Sequence, residues 1–263
     1  SQEPVLRDTT QLFSLNPMDY DESIRVMVEF IANHPISIPL TKIIGPLLPL
    51  RHLHRAFSNI KLKDGALETQ IIGDITVPIY KSTFLKAIGM KANPRGFKDQ
   101  ELTTEEFQTF LTYIGYNQDY RAKDFKKSAV FGLWTMLMHF IIRGLSGKHG
   151  GTKKLSKDWR SVVYNIYSGC DIAVDLPEVL WQDFCKFAIK RKENEISSPR
   201  VWALTLQQIF KDLNEPLLVN TVPPEVCVTF KVVKSYRILD QSSFGLVRRL
   251  PDHMLALIPS DST

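Results

Sequence analysis

A mainly α-helical, multi-helix globular fold with one small β-hairpin and a strand-forming stretch near the C-terminus is predicted by three features of this chain. Apolar residues recur at intervals of three and four in one segment after another, the spacing that collects them on one side of a helix. Residues that suit helix starts stand where those segments begin: Thr103 with Glu106 fits a capping box, Ser156 an N-cap, and Pro177 and Pro199 the first helical position. Alternating, β-rich residues are concentrated in 66–80 and 226–239.

In chain order, Ile24, Met27, Val28 and Ile31 predict a helix over 21–33 that His34-Pro35 closes. Pro35, Pro39, Pro46 and Pro49 forbid a long helix before Leu50, after which RHLHRAF starts a short one. ALETQIIG and DITVPIY read as two short strands joined by a turn at Gly73-Asp74. Ser82 opens a short amphipathic segment, FLKAIGM, which Gly89 ends. Residues 91–100 (KANPRGFKDQ) are polar, contain Pro94 and Gly96, and make the best boundary. They divide the chain into an N-terminal helix with a small β element (1–95), a helical core (96–215) and a C-terminal extension (216–263). In the core, Phe107, Phe110, Leu111 and Ile114 form the first buried stripe, and helices follow over 128–145, 156–168, 177–191 and 199–213. VCVTFKVVKSYRIL favours a strand over 226–239.

With 263 residues, 44% of them hydrophobic and 10% aromatic, the chain buries a substantial core and is not disordered as a whole. A net charge of +5 is a mild bias toward anionic partners, and its distribution matters more than its sum. Cys170, Cys185 and Cys227 are odd in number and widely spaced, so they build neither a disulfide framework nor a zinc knuckle. The expected compartment is reducing, cytoplasmic or nuclear. The apolar run 133–142 is interrupted by His139 and is too short to span a bilayer, and SQEPVLRDTT does not read as a secretory leader, so no membrane is expected as a partner.

The densest cationic segment joins two Trp-bearing helix patterns. Arg143, Lys148, Lys153, Lys154, Lys157 and Arg160 stand there against one acid, Asp158, with His149 and the glycines 147, 150 and 151 between them. Backbone N–H groups freed by glycines among positive charges suit an anion, and cations at the start of a helix stand against its macrodipole. The alternative reading is a solvated loop. GKHGGT does not satisfy the phosphate-loop pattern, and no nucleophile elbow, His-Glu-x-x-His helix or dinucleotide-binding turn occurs, so no catalytic residue and no cofactor is assigned. His52-x-His54 would support a metal only on a strand, and the local pattern is helical, so no metal ligand is assigned either. His139 and Cys185 read as core residues, and Trp134, Trp159, Trp181 and Trp202 as packing rather than base-stacking residues.

The run FKKSAVFGLWTMLMHFIIRGLSGKHGGT, then W-x-x-x-V-Y-x-I-Y-S-G, then VDLPEVLWQDFCKFAIKRKENEISSPRVWALTLQQIF resembles the helical domain of proteins encoded by plant LTR-retrotransposons and their derivatives. MVEFIANHPI and TTEEFQTFLTYIGY extend the resemblance to roughly residues 22–215. It implies a non-enzymatic, Gag-position, capsid-like role and carries no catalytic residues. The Cys-x2-Cys-x4-His-x4-Cys knuckle of typical Gag proteins does not occur in this sequence and no separate basic tail is seen, departures that count against autonomous RNA packaging.

The function expected is therefore a retroelement-derived scaffold that self-associates and contacts RNA, DNA or another polyanion through 143–160. Two alternatives stay open: an adaptor whose helical grooves take a protein partner, and a domesticated enzyme or ligand-binding protein with an apolar pocket, for which His139, His149 and Tyr164 are the residues to test.

Overall fold

In the computed structural model the residues described are 4–45, 48–71, 73–94, 103–119, 125–148, 153–169, 174–190, 195–215, 226–237 and 250–260. Among them the architecture is mainly α, with small sheets inserted between helices. Helices α1 (Arg25–Asn33), α2 (Ser37–Thr41) and α3 (Leu50–Ser58) come first; Pro35 follows the end of α1, Pro39 lies within α2, and α3 starts directly after Pro49. The three-stranded antiparallel sheet follows: β3 (Lys61–Lys63), β4 (Ala66–Gln70) and β5 (Thr76–Ile79), in the order β3-β4-β5. The numbering starts with β1 (Val5–Leu6) and β2 (Leu12–Phe13), which pair with strands much later in the chain.

The hairpin expected over 66–80 is β4 and β5, and β3 adds an edge that alternation did not reveal because Lys61, Leu62 and Lys63 are all exposed. The signal was in the turn. Asp64 and Gly65 both have positive φ, 51° and 79°, the two-residue Asp-Gly geometry that matches strand twist, and Lys63 pairs with Ala66 across it.

Helix α4 (Lys81–Ile88) ends on Gly89 in the left-handed conformation, and α5 (Thr104–Tyr113) starts from the capping box expected at Thr103 and Glu106. Then come β6 (Phe125–Lys126), α6 (Gly132–Gly144), β7 (Lys154–Leu155), α7 (Lys157–Ser168), α8 (Leu176–Ile189), β8 (Glu195–Ile196), α9 (Pro199–Asp212), β9 (Val232–Val233) and α10 (Asp252–Leu255). α6 begins four residues later than the periodicity predicts. The chain before it is pinned across its first turn, where Thr135 Oγ1 donates to the carbonyls of Lys127 (3.0 Å) and Val130 (3.3 Å), so 127–131 cannot continue the helix.

The expected C-terminal strand is reduced to the two residues of β9, which lie parallel to β2 with Leu12 opposite Val232 and Phe13 opposite Val233. Ahead of it the chain is extended and tacked to residues 48–50 by Val228 N–H to Leu48 O (2.8 Å) and Leu50 N–H to Val226 O (2.9 Å). β1 pairs parallel with β8 in the same long-range manner. One contiguous apolar core draws on residues from both sides of 91–100, from Phe13 and Ile31 to Phe140, Trp202 and Met254. At its centre α6 buries Trp134, Leu137, Phe140 and Ile141, while α9 buries Trp202, Leu206 and Phe210.

Candidate anion-binding site

Only Thr135, His139 and Arg143 on α6 escape full burial, and they stand four residues apart on one line of the helix. The short β6–β7 ladder brings further cations to that line. Lys126 is opposite Lys154, and the pairing continues through Lys127 N–H to Lys153 O at 2.9 Å. Lys148 closes the group by donating from Nζ to Lys154 O at 3.2 Å. Arg143 Nη1 donates to Asp8 O at 3.3 Å, in the segment between β1 and β2.

Of the residues expected to hold an anion, Lys148, Lys153 and Lys154 are thus drawn together at the ladder, and Arg143 lies at the end of α6 with its guanidinium on Asp8 O. Lys157, the first residue of α7, is exposed beyond them, and His149 lies outside the described residues. Arg160 is turned away from that role. Its guanidinium stands 5.9 Å from the ring centres of both Phe107 and Phe125, its Nε is buried without a hydrogen-bond partner among the described residues, and burial lowers its pKa. Phe125 in turn stacks on Tyr116 at 4.4 Å, so Arg160 caps an aromatic pair.

Lys127 was not legible as a member of the group. It is 9% exposed, and its ammonium has no hydrogen-bond or ion-pair partner among the described residues. Burial pushes it down to about 8, and the charges of Arg143 and Lys148 act in the same direction. The folded pKa lies below the ordinary 10.5, so between about pH 8 and 10.5 the unfolded chain holds a proton that the folded chain has given up. Stability should therefore rise with pH across that window by roughly 1 to 3 kcal/mol from this residue. Denaturant unfolding of wild type against Lys127→Met measures it: the rise should be missing from the variant, and equal slopes would show that Lys127 is not so perturbed. On α6, burial holds His139 down to about 4, with Lys127 and Arg143 adding to the effect, so the imidazole is neutral near pH 7.

The stem of the cationic loop is held by a buried acid, Asp183 of α8. Asp183 Oδ2 accepts from Gly147 N–H at 2.9 Å and Ser146 Oγ at 3.2 Å; burial raises its pKa, and these donors with the Trp159 side chain oppose the rise. Gly147 is required here. A Cβ would lie 2.5 Å from Ser198 Oγ and 2.8 Å from Phe187 Cδ2. The sequence held a signal for Asp183, a carboxylate falling among Val179, Leu180 and Phe184 on an otherwise apolar stripe. Beside it is an enclosed void of about 10 Å3, room for one water and not for an organic ligand. A depression of about 420 Å3 past α4, lined by Leu85, Lys86 and Met90 among others, is an open surface feature.

The remaining candidate residues are dispersed. His52 and His54 sit on helix α3, with His52 buried 5.3 Å from the Phe210 ring, and among the described residues no cluster of His, Cys, Asp or Glu is disposed to hold a metal ion. His139 belongs to a ring group with Phe13 and Tyr236, whereas Tyr164 belongs to another with Phe110 and Tyr167. Cys185 and Cys227 are free thiols, and burial, helped by Glu178, pushes Cys185 up to about 12. Trp134, Trp159 and Trp202 are buried and unavailable to stack on bases. No described helix is long and apolar enough to cross a membrane. In comparisons with protein-family models, with curated proteins and with solved structures, nothing matches the chain.

Proposed function

We propose that this chain is a capsid-like scaffold derived from a plant LTR-retrotransposon, and that it contacts RNA, DNA or another polyanion through the edge formed by Arg143, Lys148, Lys153 and Lys154. The observation that supports the reading is the gathering of Lys148, Lys153 and Lys154, with Lys126 and Lys127, around one two-residue ladder. Like charges so placed repel one another, and the repulsion is relieved when phosphates take the place of the counterions around them. Among the described residues no base-reading constellation accompanies them, so the binding proposed for this edge is electrostatic and independent of sequence.

A steep salt dependence follows. With four phosphates engaged on a single strand, log K should fall with log salt at a slope of about −3, a loss of roughly a hundredfold between about 50 and 300 mM. Fluorescence anisotropy with a short RNA and a short DNA reads this directly, and light-scattering-coupled size exclusion reports self-association in the same solutions. A chain that binds neither strand at the lower salt overturns the reading.

A further inference from the structure

The depression past α4 is apolar at its floor and basic at its rim. Leu85, Gly89 and Met90 line it together with the exposed Lys86 and Lys91. Helix α2 extends the same surface across Gly89. A Cβ placed on Gly89 would meet Ile38 Cγ2 at 2.6 Å and Lys42 Cδ at 3.9 Å, so an isoleucine that is 48% exposed and a third exposed lysine adjoin the depression. Asp212 meets Lys86 in an exposed pair at 3.4 Å, so the rim keeps an excess of positive charge. At about 420 Å3 the depression has room for an apolar side chain and its neighbours, but it is too open to enclose a small ligand.

The opposite pattern stands at the turn Pro17–Asp19. Met18 is 72% exposed, and the acids Asp19, Asp21 and Glu22 follow it, the last two exposed. The turn is fastened at several points. Asn16 Oδ1 accepts from Met18 N–H at 3.1 Å, Asp19 Oδ2 accepts from Ser14 Oγ at 2.5 Å, and Tyr20 N–H donates to Pro17 O at 3.1 Å. An apolar tip held in this way gives up little conformational freedom on docking. Methionine, unbranched and polarizable, fills irregular apolar hollows.

We infer that Met18 of one copy docks in the depression of a second copy, where Asp19, Asp21 and Glu22 face Lys42, Lys86 and Lys91. Apolar tip meets apolar floor and acids meet bases, and this double match within one chain is what selects a second copy as the occupant. Tip and depression are separate patches, so copies join reciprocally as a two-fold dimer or head to tail as a ring or chain. The inference deepens the scaffold reading above and rests on its self-association, not on polyanion binding.

The test is sedimentation velocity of the full chain without nucleic acid, over about 5 to 300 µM protein at about 100 mM NaCl. Concentration-dependent association is expected, weakened by about tenfold or more in Met18→Lys and in Lys42→Glu/Lys91→Glu, changes at exposed positions that the fold tolerates. Mixing the two variants should restore one contact, the tip of the second variant in the depression of the first, as a one-to-one complex that neither forms alone. A variant that had merely misfolded would gain nothing from the mixing. Wild-type association that both variants retain, or a mixture of non-associating variants that stays monomeric, overturns the docking inference and leaves the scaffold reading in place. A wild-type chain that is monomeric throughout overturns the inference and the self-association of the scaffold alike.

Discussion

Arg200→Met should destabilise the protein by about 3 to 5 kcal/mol, because a guanidinium that is 1% exposed serves four carbonyls and, among the described residues, no carboxylate. Its Nε donates to Thr10 O at 2.8 Å, Nη1 to Lys42 O at 2.8 Å, and Nη2 to Pro39 O and Gly144 O, each at 2.9 Å. Burial lowers its pKa to about 10, which leaves it charged near neutrality. One side chain thus ties α9 to the segment before β2, to the α2 region and to the end of α6, and its removal orphans four buried acceptors at once. Two strained residues depend on the same junction: Thr10 and Ser198 have positive φ, 50° and 54°, and Ser198 N–H is held by Thr9 Oγ1 at 2.9 Å. Arg200→Lys should lose nearly as much, since a compact ammonium has three donors and cannot span carbonyls spread over a planar fork. Equilibrium denaturation measures both variants, and a loss below about 1 kcal/mol would show that the junction holds without the guanidinium.

Trp202→Ala should cost a comparable amount, about 3 to 5 kcal/mol, by a different mechanism. The indole is fully buried, with ring centres 4.9 Å from Phe184 and 6.1 Å, edge-on, from Phe57. It joins α9 to α8 and to α3. Truncation removes apolar burial and leaves a cavity between three helices that are themselves tied at other points and so cannot close over it. Trp202→Phe keeps most of the area and the aromatic contacts, and should retain more than half of the lost stability. Thermal or urea unfolding of the pair checks this, with equal losses in the two variants excluding the cavity explanation.

The contrast between these two residues also shows what could be read in advance. Trp202 lies on an apolar stripe with Leu206 and Ile209, so periodicity assigns it to the core. Among the described residues Arg200 bonds to backbone carbonyls alone, which every residue type possesses, so no sequence pattern marks it. The same division runs through the chain. The capping box at Thr103 and the hairpin over 66–80 are local and were legible, whereas β1–β8 and β2–β9 join residues about 190 and 220 apart through two-residue ladders that leave no periodic trace. At the site, the cationic residues of 143–154 were visible as composition, but Lys126 and Lys127 join them only through β6–β7 pairing. Arg160 belonged to the same charge run by sequence and is diverted by the rings of Phe107 and Phe125, an effect of packing that spacing does not express. Asp183 was legible in principle, as a charge on an apolar face, and its role became clear only with the loop stem it holds.

The central functional claim is that the edge at β6–β7 binds polyanions by charge, and its most direct test is the affinity of Lys153→Glu/Lys154→Glu for a short single strand at about 50 mM salt, with circular dichroism confirming the fold. Reversing two cations changes the charge of the edge by four, so binding should weaken by at least about a hundredfold and the remaining salt slope should flatten toward zero. Wild-type affinity with an undiminished salt slope in the double variant would contradict the account and move the interaction, if one exists, to another face of the molecule.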